Sequence, residues 1–95
     1  MKAKLLYLRA INQWGYEAQL DMALEEMLEL SLELRRFMRN GGEWDAEKIE
    51  EEIADVEIMI GQLKLIFNEK NIRRIKVRKK KRLARRLENA LNNNK

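Results

Sequence analysis

The sequence predicts an all-α protein of four helices that form a bundle-like chain and assemble as an oligomer. Three observations predict the class: no proline and only four glycines in 95 residues, a predominance of Ala, Leu, Glu, Lys and Arg, and no strand-like alternation. A chain this short buries only about 60–65% of its unfolded surface. Because 45% of its residues are hydrophobic, more than one small core requires, we expect the excess to be buried between chains.

The first two helices are predicted over residues 3–14 and 17–38. Gly15 separates them, since glycine readily adopts the left-handed conformation that ends a helix. The segment "RNGG" (39–42) closes the second helix.

The third helix is predicted to run to residue 67 with Asp45 as its N-cap, because a short side-chain acceptor satisfies free amides of the first turn. "NEKN" (68–71) interrupts the pattern, and Asn71 is expected to cap a fourth helix that extends to residue 91. Residues 1–91 are interpreted as a single domain, and residues 92–95 as a disordered tail.

The absence of cysteine and histidine excludes thiolate nucleophiles, imidazole bases and the usual zinc sites. Any chemistry therefore falls to carboxylates, lysines, arginines and bound metal. The N-terminal segment is too interrupted for a signal peptide, and no run of about 18 apolar residues is present to span a bilayer. We expect a cytoplasmic protein without a membrane partner.

The charge is distributed asymmetrically. Residues 1–71 carry 9 Lys/Arg against 15 Asp/Glu, a net charge of −6, whereas residues 72–95 carry 11 against 1, a net charge of +10. This asymmetry requires an explanation.

Charged residues also fall on the predicted apolar faces. On the third helix, Glu52 points into the apolar arc and Asp55 lies at its edge. An ionised carboxylate in such a position is costly unless it is paired or bound to metal. On the fourth helix, Lys79 lies within the apolar stripe and is flanked by Arg82 and Arg86.

The acidic residues form two pairs with helical spacing. Glu26 and Glu29 make E-x-x-E, and Glu52 and Asp55 make E-x-x-D, so each pair can direct both carboxylates to one point. Four carboxylates in one cleft repel one another, and a divalent cation removes the conflict. We expect Mg²⁺, with Mn²⁺ as a substitute, because both prefer hard oxygen ligands.

A polyphosphate bound to such a site requires further groups. A water activated by the metal would attack the phosphoanhydride, and Glu25 or one of the ligand carboxylates would accept its proton. Trp14 and Gln19 are candidate contacts for a nucleobase. The remaining phosphate charge would be taken by the inward-leaning cations Lys79, Arg82 and Arg86.

These motifs resemble the MazG-like all-α nucleoside triphosphate pyrophosphohydrolases. The similarity lies in "WGYEAQLDMALEEMLEL" (14–30) and "EEIADVEIMIGQL" (51–63), with the E-E-x-x-E and E-x-x-D blocks and a Lys-x-x-Arg at 79–82, and it covers about residues 10–87. The resemblance implies Mg²⁺-dependent cleavage of a nucleoside or deoxynucleoside triphosphate to the monophosphate and pyrophosphate. It also implies a homodimer or homotetramer with clefts near the subunit interfaces.

The resemblance implies specific ligands too. By position, the metal ligands are Glu26, Glu29, Glu52 and Asp55, and Lys79 and Arg82 bind phosphate. Related carboxylate bundles cleave other pyrophosphate bonds, including that of phosphoribosyl-ATP, and the spacing does not separate these substrates.

Two other readings remain open. Ten of the fourteen residues from 73 to 86 are basic, which is typical of a nucleic-acid-binding or regulatory protein that uses helix 72–91. No aromatic residue interleaves these charges for base stacking. Alternatively, the basic helix only neutralises the acidic helices of a structural bundle, but this does not explain charges on the apolar stripes.

Overall fold

The structure, a computed structural model, describes residues 1–93 and contains four helices joined by short turns. They span Ala3–Trp14 (α1), Tyr16–Arg39 (α2), Ala46–Ile66 (α3) and Glu69–Asn93 (α4). No strand occurs within the described residues, so the predicted all-α class is confirmed. None of these four helices combines the length and the apolar character needed to cross a bilayer.

The break between α1 and α2 lies at Gly15, as predicted. Its φ of 89° and ψ of 151° suit glycine, which has no Cβ to clash at positive φ. The Gly15 N–H donates to the Ile11 carbonyl at 2.8 Å. α2 begins directly afterwards and is one residue longer at each end than predicted.

The turn between α2 and α3 also follows the prediction. Gly41 and Gly42 have φ of 62° and 87°, and Asp45 then caps α3. Its Oδ1 accepts hydrogen bonds from the backbone N–H groups of Glu47 at 3.1 Å and Lys48 at 3.3 Å. Two of the free amides at the helix start are thereby satisfied.

The boundaries of α4 differ from the prediction at both ends. Asn68, not Asn71, is the capping residue: its Oδ1 accepts from the Asn71 N–H at 3.0 Å, so Asn71 already belongs to the first turn. Two asparagines three residues apart offer the same capping chemistry, and the observed cap lengthens the helix. α4 also includes Asn92 and Asn93, which were expected in the tail; residues 94 and 95 lie outside the described residues.

α2 and α3 form the principal helix pair, and α1 packs against both. The Tyr7 ring of α1 lies against Gly61 of α3, where an added Cβ would overlap the ring. A glycine within a helix costs about 1 kcal/mol relative to alanine, and this close packing explains its presence. The pairing of α2 with α3 positions the candidate site.

Within residues 1–93, α4 packs only against α3. Ile72 and Ile75 in its first turns are half-buried, whereas every residue from 76 to 93 is exposed. The Cα radius of gyration is 17.3 Å, against about 12 Å for a compact domain of this length. The chain therefore consists of three packed helices and a projecting fourth.

Candidate metal centre

Three carboxylates from α2 and α3 converge between these helices. Glu26 lies on α2, and Glu52 and Asp55 lie one turn apart on the same side of α3. One carboxylate oxygen of each residue lies within 4.8 Å of the other two. Glu52 is buried with 7% of its surface exposed, Glu26 is half-buried and Asp55 is exposed. Three of the four predicted metal ligands are thus brought together, and we call them the carboxylate cluster.

The cluster is electrostatically unbalanced. Burial raises the pKa of Glu26 above its usual value of 4.5, and the negative charges of Asp55, Glu52 and Glu29 raise it further. The only cation in an ion pair with the cluster, among the described residues, is Lys48, whose Nζ lies 3.6 Å from Glu52 Oε1. Three carboxylates beside one ammonium group favour an additional cation.

One oxygen of the cluster has no partner. Glu52 Oε2 is buried and accepts no hydrogen bond from any group in residues 1–93. Leaving a buried acceptor unpaired costs about 1–3 kcal/mol, and more for a charged group. The inward direction predicted for Glu52 is therefore confirmed, and one of its buried oxygens is left without a hydrogen-bond donor within these residues.

Glu29 and Glu25 are not part of the cluster. Both are exposed, and neither belongs to the group of oxygens within 4.8 Å. Glu29 lies one turn from Glu26, close enough for its charge to raise the pKa of Glu26. Glu25 lies about 100° round α2 from Glu26 and faces solvent.

A pair of glutamines lies between the same two helices. Gln19 Nε2 donates to Gln62 Oε1 at 2.6 Å, and both side chains are buried. Beside them an open cavity of about 490 Å³ is lined by Trp14, Ala18, Gln19, Met22 and Met59. The two predicted base contacts, Trp14 and Gln19, therefore line one cavity.

Sequence reasoning missed Gln62 and Lys48. Gln62 lies seven residues after Asp55, two turns along the same side of α3, and this spacing was the signal for it. Lys48 precedes Glu52 by four residues, the spacing at which helical side chains form ion pairs.

A second buried carboxylate, Glu33, has a structural role. Its exposed fraction is 2%. Trp44 Nε1 donates to Glu33 Oε2 at 2.6 Å, and Arg36 Nη1 donates to Oε1 at 2.8 Å. The Arg36 guanidinium also lies over the Trp44 ring, 5.8 Å from its centroid. Through these bonds Glu33 holds the α2–α3 turn, which contains Trp44, against α2. Because both of its oxygens already accept hydrogen bonds, Glu33 is not a candidate metal ligand.

The predicted phosphate-binding cations do not face the carboxylate cluster within one chain. Within residues 1–93, α4 makes no contact with α2. Lys79 instead lines an apolar groove of about 510 Å³ between α3 and α4, together with Ile75 and Leu83. Arg82 and Arg86 are exposed.

Comparison of the chain with protein-family models, with curated proteins and with solved structures gives no match.

Proposed function

We propose that this chain is a Mg²⁺-dependent pyrophosphohydrolase that cleaves the α–β phosphoanhydride of a nucleoside or deoxynucleoside triphosphate. The products are the nucleoside monophosphate and pyrophosphate. The carboxylate cluster carries the proposal, because Glu26, Glu52 and Asp55 lie within 4.8 Å of one another. The resemblance of the E-E-x-x-E and E-x-x-D blocks to the MazG-like enzymes gives the reaction class.

The donor set fits Mg²⁺. Its ligands are carboxylate oxygens, which this hard cation prefers, and the unpaired Oε2 of Glu52 provides a buried acceptor. Glu26, Glu52 and Asp55 would hold the ion, with Glu29 one turn away on the exposed side. When bound, Mg²⁺ neutralises the carboxylates, polarises phosphate oxygens and favours ionisation of water at neutral pH.

The side chains around the cluster have complementary roles. Lys48 is held beside Glu52 and can offer its ammonium group to a phosphate oxygen. Glu29 is an exposed carboxylate one turn from Glu26 on α2 and is the candidate to accept the proton of the attacking water, whereas Glu25 faces away from the cluster. As the new P–O bond forms and the bridging P–O bond breaks, pyrophosphate leaves with the bridging oxygen.

The cavity near Trp14 suits the nucleoside. Gln19 and Glu26 lie on the same side of α2, seven residues and so about 10 Å apart. A base in the cavity of about 490 Å³, stacked on Trp14, would place its phosphates towards the carboxylate cluster. Gln19 is the polar side chain that lines this cavity, and its amide, held by Gln62, would contact the edge of the base.

A substrate panel tests this function. The purified protein is incubated with Mg²⁺ and each of the common NTPs and dNTPs, and pyrophosphate and orthophosphate are quantified separately. We expect pyrophosphate to form with at least one substrate. Glu52→Gln should reduce the rate at least 100-fold, since it removes a charged metal ligand, whereas the matched control Glu57→Gln, at an exposed position of α3, should retain it. Orthophosphate as the only product, or full activity of Glu52→Gln, would contradict the proposal.

A second candidate function is nucleic-acid binding by α4. The observation that favours it is the exposure of all residues from 76 to 93 on a helix with ten basic residues between positions 73 and 86. Binding to an oligonucleotide should then weaken steeply with salt as counterions are released. Salt-sensitive binding without any pyrophosphate release would favour this candidate over the enzyme.

A further inference from the structure

We propose that the exposed part of α4, residues 76–93, binds the surface of a membrane that contains anionic lipids. The helix lies in the plane of the headgroups, with its leucines at the boundary of the acyl chains and its basic side chains among the lipid phosphates and carboxylates. The proposal stands on exposure, helix geometry and charge, and it is independent of the proposed function.

The exposed part of α4 has one side on which lysines are followed by leucines. This side consists of Lys76, Lys80, Leu83, Leu87 and Leu91, which fall within an arc of about 80° when successive residues are placed 100° apart. From first to last they extend about 22 Å along the helix. The leucines are 63%, 57% and 56% exposed, and both lysines are exposed. We call this side the lysine–leucine face.

No other helix stands over this face within residues 1–93. α4 makes contacts with α3 but none with α1 or α2. The half-buried Ile72 and Ile75 mark the side of α4 that meets α3, and they lie about 60° and 120° round the helix from Leu87. α3 is therefore beside the lysine–leucine face, and the face is open to a flat surface.

The charge of α4 is complementary to an anionic membrane. Ten basic residues and no acidic residue lie between positions 73 and 86, and residues 72–95 carry a net charge of +10. Each Lys or Arg close to an anionic lipid surface raises the binding constant about five-fold. Lys76 and Lys80 can rest their aliphatic stems beside the leucines while their ammonium groups reach the headgroups.

The leucines distinguish a membrane from a nucleic acid as the partner of α4. A nucleic acid attracts basic side chains through its phosphates, but it offers no apolar phase to a row of three leucines. Binding of single strands also relies on aromatic side chains that stack on bases, and α4 contains none. An anionic membrane accommodates the lysines and the leucines of the face together.

A second copy of the chain does not account for the face as well. Two α4 helices packed together would each bring a net charge of +10 from residues 72–95, and these charges repel. The apolar surface that we expect to be buried between chains is present elsewhere, because Leu24 and Leu28 on α2 are 60% and 69% exposed. An oligomer formed through α2 leaves the lysine–leucine face free.

The remainder of the chain is compatible with this mode of binding. Residues 1–71 carry a net charge of −6, but repulsion from an anionic surface is screened beyond about 8 Å at physiological ionic strength. No helix of the described chain can span a bilayer, and a surface helix does not need to, since only one side of it enters the apolar phase. The expectation that the chain has no membrane partner followed from the missing span.

Sedimentation of the full-length protein with lipid vesicles tests the proposal. We expect the protein to pellet with vesicles of phosphatidylcholine and phosphatidylserine, and little of it to pellet with phosphatidylcholine alone. Binding should weaken between about 0.1 M and 1 M salt, because the screening length falls from about 10 Å to 3 Å. Lys76→Gln/Lys80→Gln should weaken binding to the mixed vesicles about 25-fold, at five-fold for each lysine.

A pair of double variants separates the leucines of α4 from apolar surface in general. Leu87→Gln/Leu91→Gln should weaken vesicle binding by about ten-fold or more, because two leucines no longer leave water. Leu24→Gln/Leu28→Gln is the matched control, since it makes the same changes at similarly exposed positions of α2, and it should bind as the wild type does. Circular dichroism checks that both variants keep the helical content of the wild type.

Three results would overturn the proposal. The first is a wild type that does not bind the mixed vesicles, or binds them equally well after Leu87→Gln/Leu91→Gln. The second is binding to an oligonucleotide in place of vesicles with no effect of this variant, which would assign α4 to a nucleic acid. The third is an oligomer that does not bind vesicles and that the same variant separates into single chains in sedimentation equilibrium, because a second copy would then cover the face.

Discussion

Replacement of Glu52 by glutamine should stabilise the metal-free protein and remove its response to Mg²⁺. Glu52 lies within 4.8 Å of both Glu26 and Asp55, and an effective dielectric constant of about 20–40 gives a repulsion of about 2–3.5 kcal/mol for each pair. The variant also loses the attraction to Lys48 at 3.6 Å, which is worth about 2–4.5 kcal/mol on the same basis. The net gain is about 1–2 kcal/mol.

Mg²⁺ should make the wild type more stable than the Glu52→Gln variant. At a free concentration 100-fold above its dissociation constant, a ligand that binds only the folded state stabilises it by about 2.7 kcal/mol. The wild type should gain this amount, whereas Glu52→Gln should gain little. Urea unfolding at one fixed protein concentration, with EDTA and then with MgCl₂, measures both effects, and Glu57→Gln serves as the control with a wild-type Mg²⁺ response.

The result that would refute this reasoning is equally specific. If Glu52→Gln destabilised the metal-free protein and the wild type did not respond to Mg²⁺, Glu52 would be a structural residue held by Lys48. The carboxylate cluster would then be an internal ion pair with two acidic neighbours, and the catalytic proposal would lose its main support.

Three further predictions concern the pH dependence and the packing. Because burial and its carboxylate neighbours raise the pKa of Glu26 above 4.5, Glu26 keeps its proton to higher pH in the folded chain than in the unfolded chain. The contribution of Glu26 to the metal-free unfolding free energy should therefore fall as pH rises from 4.5 through the raised pKa. Glu26→Gln should remove this contribution, measured in urea titrations at several pH values. Trp44→Phe removes the hydrogen bond to Glu33 and should cost about 1.5–3 kcal/mol in the same assay; an unchanged midpoint would show that this bond contributes nothing. Gly61→Ala places a Cβ against the Tyr7 ring and should lower the unfolding free energy by about 1–3 kcal/mol. Thermal unfolding measures this loss, and a variant more stable than the wild type would contradict the packing of α1 against α3.

Much of the helical organisation could be predicted from the sequence. Gly15 ends α1 because glycine adopts positive φ easily, and Asp45 begins α3 because its side-chain oxygen caps the helix. Both effects are local, so the positions of these boundaries can be read from the sequence. The start of α4 could not be predicted in the same way, because Asn68 and Asn71 carry the same side chain and either could cap the helix. The structure shows that Asn68 does so, since its side-chain oxygen accepts from the Asn71 N–H.

The candidate site could be predicted in part. The inward direction of Glu52 follows from the 100° rotation per residue of an ideal helix, which needs no knowledge of the partner helix. Glu29 was grouped with Glu26 by the same rule, yet it is exposed and lies outside the cluster. Packing against α3 sets the rotation of α2 about its own axis, and this rotation places Glu26, but not Glu29, in the cluster.

By itself, the sequence determined the helical class, the main breaks between helices and the presence of charged residues on apolar faces, because propensity, capping and periodicity are local properties. Only the tertiary structure decided that Glu26 meets Glu52 and Asp55, that Gln19 pairs with Gln62, and that α4 leaves the other helices. These features depend on the rotation and crossing of whole helices. Side chains many residues apart, and the surface left for a second chain, are fixed only when the helices pack.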